Sequence, residues 1–443
     1  MALFNRFNDQ SDNSPAKEEW QSAKEHLDNN EYHECLQALA WGFRKDVNYM
    51  PLFQLATDCM GAIGAVDEQK LFEAVCSNQN DAKAYYDLGK TYSSIEHYDL
   101  AQVFYEKALL LDPKNEELPH DLALCYARRF NVSKALEVLT NNPPNDFWGL
   151  YFLNKCKILN QKMDGVQEFV NDLMAFLQEQ PDQERVAVAK MKIEELQETV
   201  QRYNTIPTIQ THIRDWQYIQ YGSVVLDYFE DSEDYVAGGR YVASWGSMES
   251  IKMLASKFKQ FVNKLSISIQ SIVSLPGRDS EIIGRVLAKE LGIGFSFYDP
   301  EEVNHQALIV AANSSYFDAY EELSTVNSGQ ILFAANHNWL ASTMISPDII
   351  GFMTQSYSFP WNGGGMRVTD TESGAVESIP PDDRSEEEIA TDIFNIEPSS
   401  DNSNEHLEFY LAHKDYLKGI GTLSGNKRYN LMIESPVPGS YFG

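Results

Sequence analysis

Residues 82–115 read AKAYYDLGKTYSSIEHYDLAQVFYEKALLLDPKN, a pair of helices spelled out in side-chain size. Tyr85, Leu88, Gly89 and Tyr92 fall at helical spacing on the first helix. Ala101, Tyr105 and Ala108 do so on the second, and Pro113 ends it. The small residues let the two backbones approach, and the large ones fill the groove beside them. The next 34 residues, from Glu116, keep the pattern. Leu122, Ala123 and Tyr126 take the first-helix positions, Ala135 and Leu139 the second-helix positions, and Pro143-Pro144 closes the unit. A helix pair repeated at a fixed period cannot bury its apolar faces alone and must stack on its neighbours. The first half of the chain is thereby committed to a helical array.

This spacing resembles the tetratricopeptide repeat. Looser copies surround it. EYHECLQALAWGF carries Cys35 and Leu39 at second-helix positions, and YMPLFQLATDCMGAIG reads as a first helix. A further first helix is expected over 147–159, answered by MDGVQEFVNDLMAFLQEQ. Val186, Ala189, Met191, Ile193 and Leu196 form a last helical stripe that caps the array or connects it onward. The expectation is a disordered start over 1–19 and a tetratricopeptide-like solenoid over 20–204. The resemblance implies a protein or peptide partner on the concave face. Repeats that grip a terminal carboxylate need a cluster of Lys, Arg and Asn there; Lys83, Lys90, Arg128 and Arg129, beside Asp87, make a thin one.

Composition narrows the partners. There are 65 acidic against 35 basic residues, a formal charge of -30. Such a surface repels nucleic-acid backbones and anionic membranes, and the basic residues never gather beyond pairs. The five cysteines, Cys35, Cys59, Cys76, Cys125 and Cys156, show no metal or redox spacing and read as reduced core thiols. The polar start is unlike a signal peptide, and no apolar run is long enough to span a bilayer. A cytoplasmic protein is expected, with no nucleic-acid or membrane partner, and with homo-oligomerisation left open.

After TIPTIQT, near 204, the period changes. Short apolar strands alternate with helices: SVVLDYF, RYVASWG, a helix capped by Ser247, SISIQSIVSL, a helix over EIIGRVLAKELG, IGFSFYD, ALIVAA, a helix over SYFDAYEEL, and SGQILFAANHN. Ser250 stands where a capping box usually has Glu, so that box reads as incomplete. The order predicts a three-layer α/β domain with a mostly parallel sheet over 205–443. Sites in such sheets lie beyond the carboxyl ends of the strands. Three loops qualify: 276–280, 313–318 and 336–343.

VSLPGRDSEIIGRVLAKELGI, LIVAANSSYFDAYEEL and GQILFAANHNW, in that order, resemble the core of a type I phosphoribosyltransferase over about 245–345. In that family a proline-arginine-glycine-glycine loop leads into a helix ending ALAxxLG, matched here by Leu287, Ala288, Leu291 and Gly292. Its central strand ends in two acids and a Gly/Thr-rich loop that hold the ribose and 5′-phosphate of phosphoribosyl pyrophosphate. This chain has Ala311 and Ala312 for the acids, Phe317 for the glycine and Ala319 for the threonine. Methyl groups accept no hydrogen bonds and organise no Mg²⁺. Phe317 obstructs a cradle built from converging backbone N–H groups. The resemblance therefore implies the fold without its reaction. Arg278, Ser280, Ser314, Ser315 and His337 remain as a possible ligand crevice, with Asp279 placed to neutralise Arg278 and Asp318 to occupy helix N–H groups.

Other constellations are weaker. His406 and His413 lack recognised metal spacing, and no metal or cofactor is expected. FPWNGGGMR lacks the lysine of a phosphate loop and reads as a surface turn. The stretch 369–405 is acidic and rich in Ser and Pro; it reads as a flexible insertion holding one short helix. A helix over HLEFYLAHKDYLKG, ending at Gly419 or Gly421, and a last strand in RYNLMIES complete the chain. Two functions are compatible with these residues. The first is an adaptor or scaffold acting through the repeats, with a catalytically degenerate α/β domain. The alternative is an enzyme or sensor that binds a nucleotide or phosphosugar at the strand ends.

Overall fold

In the computed structural model the described residues are 13–228, 238–302, 305–327, 329–370, 375–397 and 404–437. Most of the expected disordered start, residues 229–237 and parts of the acidic segment lie outside them. The chain divides into two compact units, Met1–Met163 and Asp164–Gly443.

The first unit is a helical-repeat solenoid. Its helices are α1 (Lys17–Asp28), α2 (Tyr32–Lys45), α3 (Met50–Ile63), α4 (Val66–Ser77), α5 (Ala82–Ser94), α6 (Tyr98–Leu111), α7 (Leu118–Arg128), α8 (Val132–Asn141) and α9 (Phe147–Leu159). They pack pairwise, α1 on α2, α3 on α4, α5 on α6 and α7 on α8, and each pair packs on the next. Tyr85, Leu88, Gly89, Ala101, Tyr105, Ala108, Leu122, Ala123, Tyr126 and Ala135 are buried in one continuous core. A Cβ on Gly89 would lie 2.6 Å from the Tyr105 ring, so only glycine admits this approach of α5 to α6. Rings of Phe43, Phe53, Tyr85 and Phe104 then carry the core from repeat to repeat, with centroids 4.7–6.2 Å apart.

The turns repeat too. Asn30, Gly64, Glu96, Phe130 and Gln161 all have left-handed φ, between 56° and 78°. Each turn is closed by a six-to-one bond: Glu31 N–H to His26 O, Ala65 to Met60, His97 to Tyr92, Asn131 to Tyr126 and Lys162 to Lys157. Only one of the five positions is glycine, so packing holds the other four in a conformation that L-residues resist.

The second unit begins with α10 (Val166–Gln178), α11 (Ala187–Tyr203) and α12 (Ile213–Tyr221). The sequence places α10 and α11 with the array, whereas the compact units divide before them. Then follow β1 (Val224–Asp227), β2 (Tyr241–Trp245), α13 (Met248–Lys264), β3 (Ser271–Ser274), α14 (Arg278–Leu291), β4 (Gly294–Phe297), β5 (Ala307–Asn313), β6 (Ile331–His337) and β7 (Ile349–Ser358). A hairpin, β8 (Met366–Asp370) and β9 (Ala375–Ser378), and two helices, α15 (Glu386–Asn395) and α16 (Asn404–Ala412), complete the unit.

The sheet runs β1-β7-β6-β5-β3-β4, with β2 also along β7, and every pairing in it is parallel. One face is covered by α13 and α14, with the rings of Phe258 and Phe333 5.3 Å apart. The other is covered by 3-10 turns at Ser314–Ala319 and Glu321–Ser324.

Several local expectations are corrected. SYFDAYEEL forms these 3-10 turns, not an α-helix, because Asp318 accepts the N–H groups of Met344 and Ile345 and holds the chain off the helical path. The Ser247 capping box is complete, since the Ser247 N–H donates to Ser250 Oγ while the Ser250 N–H donates to Ser247 Oγ. The last helix stops at Ala412, and RYNLMIES makes one bridge, Thr343 to Leu431, in place of a strand. Trp361, in the glycine-rich turn, is fully buried. Lys17–Glu19 belong to α1, inside the stretch expected to be disordered.

Two substitutions test this framework. Nothing lies within 4 Å of a Cβ on Gly64, so Gly64→Ala meets only backbone strain. It should cost about 1 kcal/mol, read as a lower urea midpoint of the array. Arg428→Met strands the fully buried Asp348 carboxylate. It should cost about 3–5 kcal/mol, and an unchanged melting temperature would show that the pair is not a structural keystone.

Candidate functional site

Counted from β3, the five strands β3 to β7 stand in the order 2-1-3-4-5. In such sheets the crevice for a ligand opens where the winding reverses, here beyond the carboxyl ends of β3 and β5. Side chains alternate along a strand, so Ala311 and Ala312 face opposite sides of the sheet. Ala311 joins Leu275, Ile309, Phe317, Leu323, Leu332, Ala334 and Ile345 in one buried apolar cluster. Phe317 is completely buried and occupies the space that a loop glycine would leave open. On the opposite side, the Ala312 N–H donates to the buried Ser280 Oγ at 2.9 Å, which sews the first turn of α14 to the end of β5.

The five predicted crevice residues do not converge. Arg278 turns outward, donates to the carbonyls of Asp382 and Arg384, and pairs with Glu386 at 3.4 Å. Asp279 does not neutralise it. Its carboxylate accepts from Trp361 Nε1 at 2.7 Å and from Asn362 Nδ2 at 3.1 Å. Ser315 is exposed, and both its N–H and its hydroxyl point back to Asn313 Oδ1. Only Ser314 and His337 meet, with Ser314 Oγ 2.7 Å from His337 Nδ1, and both are fully buried. Among the described residues His337 Nε2 has no hydrogen-bond partner. Burial, reinforced by the Arg240 guanidinium, holds the imidazole pKa down to about 3. The ring is therefore neutral at physiological pH and shut off from solvent, which suits a core histidine better than a proton shuttle. Among the described residues no three His, Cys, Asp or Glu side chains gather as a metal site.

The segment around α15 closes over the first loop. Glu387 pairs with Arg285 at 2.7 Å and Lys289 at 2.6 Å, while Lys252 bonds Glu290 and the Phe394 carbonyl. Ile389 and Ile393 are buried beneath. The sequence shows the acids of this helix but not the α14 cations that receive them.

On the repeat array, the basic residues expected to face a ligand are mostly spoken for. Lys83 pairs with Asp87 on its own helix. Arg128 stacks over Tyr98 at 5.5 Å and Arg129 donates to Gln102, both on α6. Asp121 accepts from Tyr86 Oη at 3.1 Å, linking successive first helices. Lys90 is exposed. The five cysteines are free, four of them buried, and burial raises the Cys35 thiol to about 12, so these thiols are inert. No helix among the described residues is long and apolar enough to cross a membrane.

Comparison with known proteins agrees with the repeat. Residues 82–115 match the tetratricopeptide repeat. No curated protein matches the chain. Two solved structures, MamA AMB-1 and MamA MSR-1, align over 39% and 42% of this chain and 96% and 99% of their own lengths, at 14% and 16% identity. Their TM-scores, 0.24 and 0.21, are too low to carry a functional argument.

The buried imidazole makes a pH prediction. Unfolded His337 takes up a proton near 6.5, whereas the folded side chain does so only near 3. Between these values the unfolded state binds the extra proton, so stability falls as pH falls, by about 1.4 kcal/mol per pH unit for this group. His337→Gln should flatten the slope of unfolding free energy by roughly that amount between about pH 6 and 4.5. An unaltered slope would mean that the imidazole titrates normally in the fold.

Proposed function

We propose that this chain is an interaction adaptor. Its tetratricopeptide-type repeats engage a protein or peptide on their concave face. Its α/β unit is a phosphoribosyltransferase-like fold that has lost the transfer reaction. The observation that carries the second part is the packed cluster around Ala311 and Phe317, where a ribose and its phosphate would need acids and open backbone. A carboxylate at residue 311 would be buried among apolar side chains at high cost, so alanine and phenylalanine here support one another. The first part is supported by the match at residues 82–115 and by the recurrence of one turn geometry along the array.

Two measurements on the full-length chain test the halves separately. Phosphoribosyl pyrophosphate with Mg²⁺ should leave the melting temperature unchanged. A rise of several degrees would overturn the loss of binding and favour the sensor reading. Peptides selected from a displayed library on the wild-type chain should lose roughly tenfold in affinity on Lys90→Glu, with melting preserved. Selection of no peptide, or of peptides indifferent to changes on the first helices, would remove the concave face as the docking surface.

A further inference from the structure

The two edges of the sheet are treated differently. At the β1 edge, Val225 is sealed by α16: its N–H donates to Tyr410 Oη at 2.9 Å, and its carbonyl accepts from His406 Nε2 at 2.6 Å. At the β4 edge, no strand among the described residues pairs beyond Gly294–Phe297. Folded proteins usually blunt such an edge with charge, proline or a covering element. Residues 293–298, IGFSFY, contain neither charge nor proline. Phe297 is 52% exposed, and a Cβ on Gly294 would meet nothing within 4 Å.

The geometry of that edge is self-complementary. The Tyr298 N–H donates to the Ser274 carbonyl at 2.8 Å. Backbone direction alternates along a strand, so Gly294, Ser296 and Tyr298 turn toward β3, while Phe295 and Phe297 direct their N–H and C=O groups outward. The stretch Phe295-Ser296-Phe297 reads the same in both directions. Placed antiparallel to a second copy with the axis at Ser296, Phe295 of each chain faces Phe297 of the other. Each such pair exchanges both of its backbone hydrogen bonds, and the two Ser296 residues form the close non-bonded pair between them. The rings of Phe295 and Phe297, 5.4 Å apart on one face, would extend into a cross-strand aromatic ladder. Two-fold contacts demand this kind of self-matching patch.

We infer that the β4 edge is a homodimer interface, in which a second copy of this chain adds its own β4 antiparallel and joins the two sheets into one. The inference is independent of the adaptor reading. Because each chain carries a formal charge of -30, added salt should strengthen the association by screening the repulsion.

Sedimentation equilibrium of the full-length chain tests it. A monomer–dimer equilibrium is expected over roughly 1–100 µM, tightening with salt. Phe297→Lys, at an exposed position, should weaken it at least roughly tenfold with circular dichroism and melting unchanged. A second variant guards against misfolding of the first. In Ser296→Cys the paired Cα atoms would stand about 4.5 Å apart, within disulfide reach. Oxidised glutathione should accept two electrons from the introduced thiols, whose protons pass to the two glutathiones released, and leave a covalent dimer. Glu301→Cys, outside the pairing, should form no covalent dimer under the same treatment. A wild-type chain that is monomeric throughout overturns the proposal. So does a dimer that neither weakens in Phe297→Lys nor cross-links in Ser296→Cys.

Discussion

The α/β unit is closed by one buried ion pair. Arg428 Nε and Nη2 reach the two oxygens of Asp348 at 2.9 and 2.7 Å, with neither side chain exposed. Removing two charges from water costs more than their attraction returns unless every remaining polar site is filled. Here the sites are filled. Arg428 also donates to the carbonyls of Leu323, Thr325 and Gln330, and Asp348 accepts the Leu332 N–H. The pair thus gathers the end of the 3-10 turns, the starts of β6 and β7, and the irregular chain after α16. Gly419, at φ +71°, completes the closure: a Cβ there would lie 2.4 Å from Asp348 Oδ2.

A second buried network explains why α11 belongs with the sheet. Glu198 accepts from Arg202 at 3.1 Å, Lys418 at 2.6 Å and Tyr429 at 2.9 Å. Arg202 donates in turn to the carbonyls of Ile219 and Gln220 on α12. Burial pulls the Lys418 ammonium down to about 8 even beside this carboxylate. A capping helix at the end of a repeat array would need a polar outer face. Instead, α11 commits Glu198 and Arg202 to partners more than fifteen residues along the chain.

The contrast marks what a single sequence discloses. The repeats were legible because their determinants are local. Gly89 and Tyr105 meet within one helix pair, and the spacing that unites them can be counted. The α/β unit was legible at the level of strands such as ALIVAA, whose apolar run survives without context. It was not legible where distant groups decide the outcome. The 3-10 path of residues 314–319 depends on amides 26 and 27 residues away from Asp318. β7 is hidden in the sequence because Gly351 interrupts its apolar run and Thr354, Gln355 and Ser356 end it in polar residues. Gly351 is nonetheless required, since a Cβ there would strike the Ala335 carbonyl at 2.4 Å. Sequence places Arg278 in the crevice because its acceptors, the carbonyls of Asp382 and Arg384, lie more than a hundred residues on.

The crevice beyond the carboxyl ends of β3 and β5 is packed as a core. Ala311 needs no counter-ion at the end of β5, and Phe317 packs beside it in the same buried cluster. Ser280 uses the Ala312 N–H, and Asn313 uses both donors of Ser315. What remains polar is Ser314 with His337, and burial has made that histidine neutral. These residues support one another: an acid at residue 311 would face a ring, and a glycine at residue 317 would open a cavity lined by apolar side chains. Exchanging one of them alone therefore yields neither a site nor a sound core, and this mutual dependence distinguishes a packed crevice from one that is merely empty.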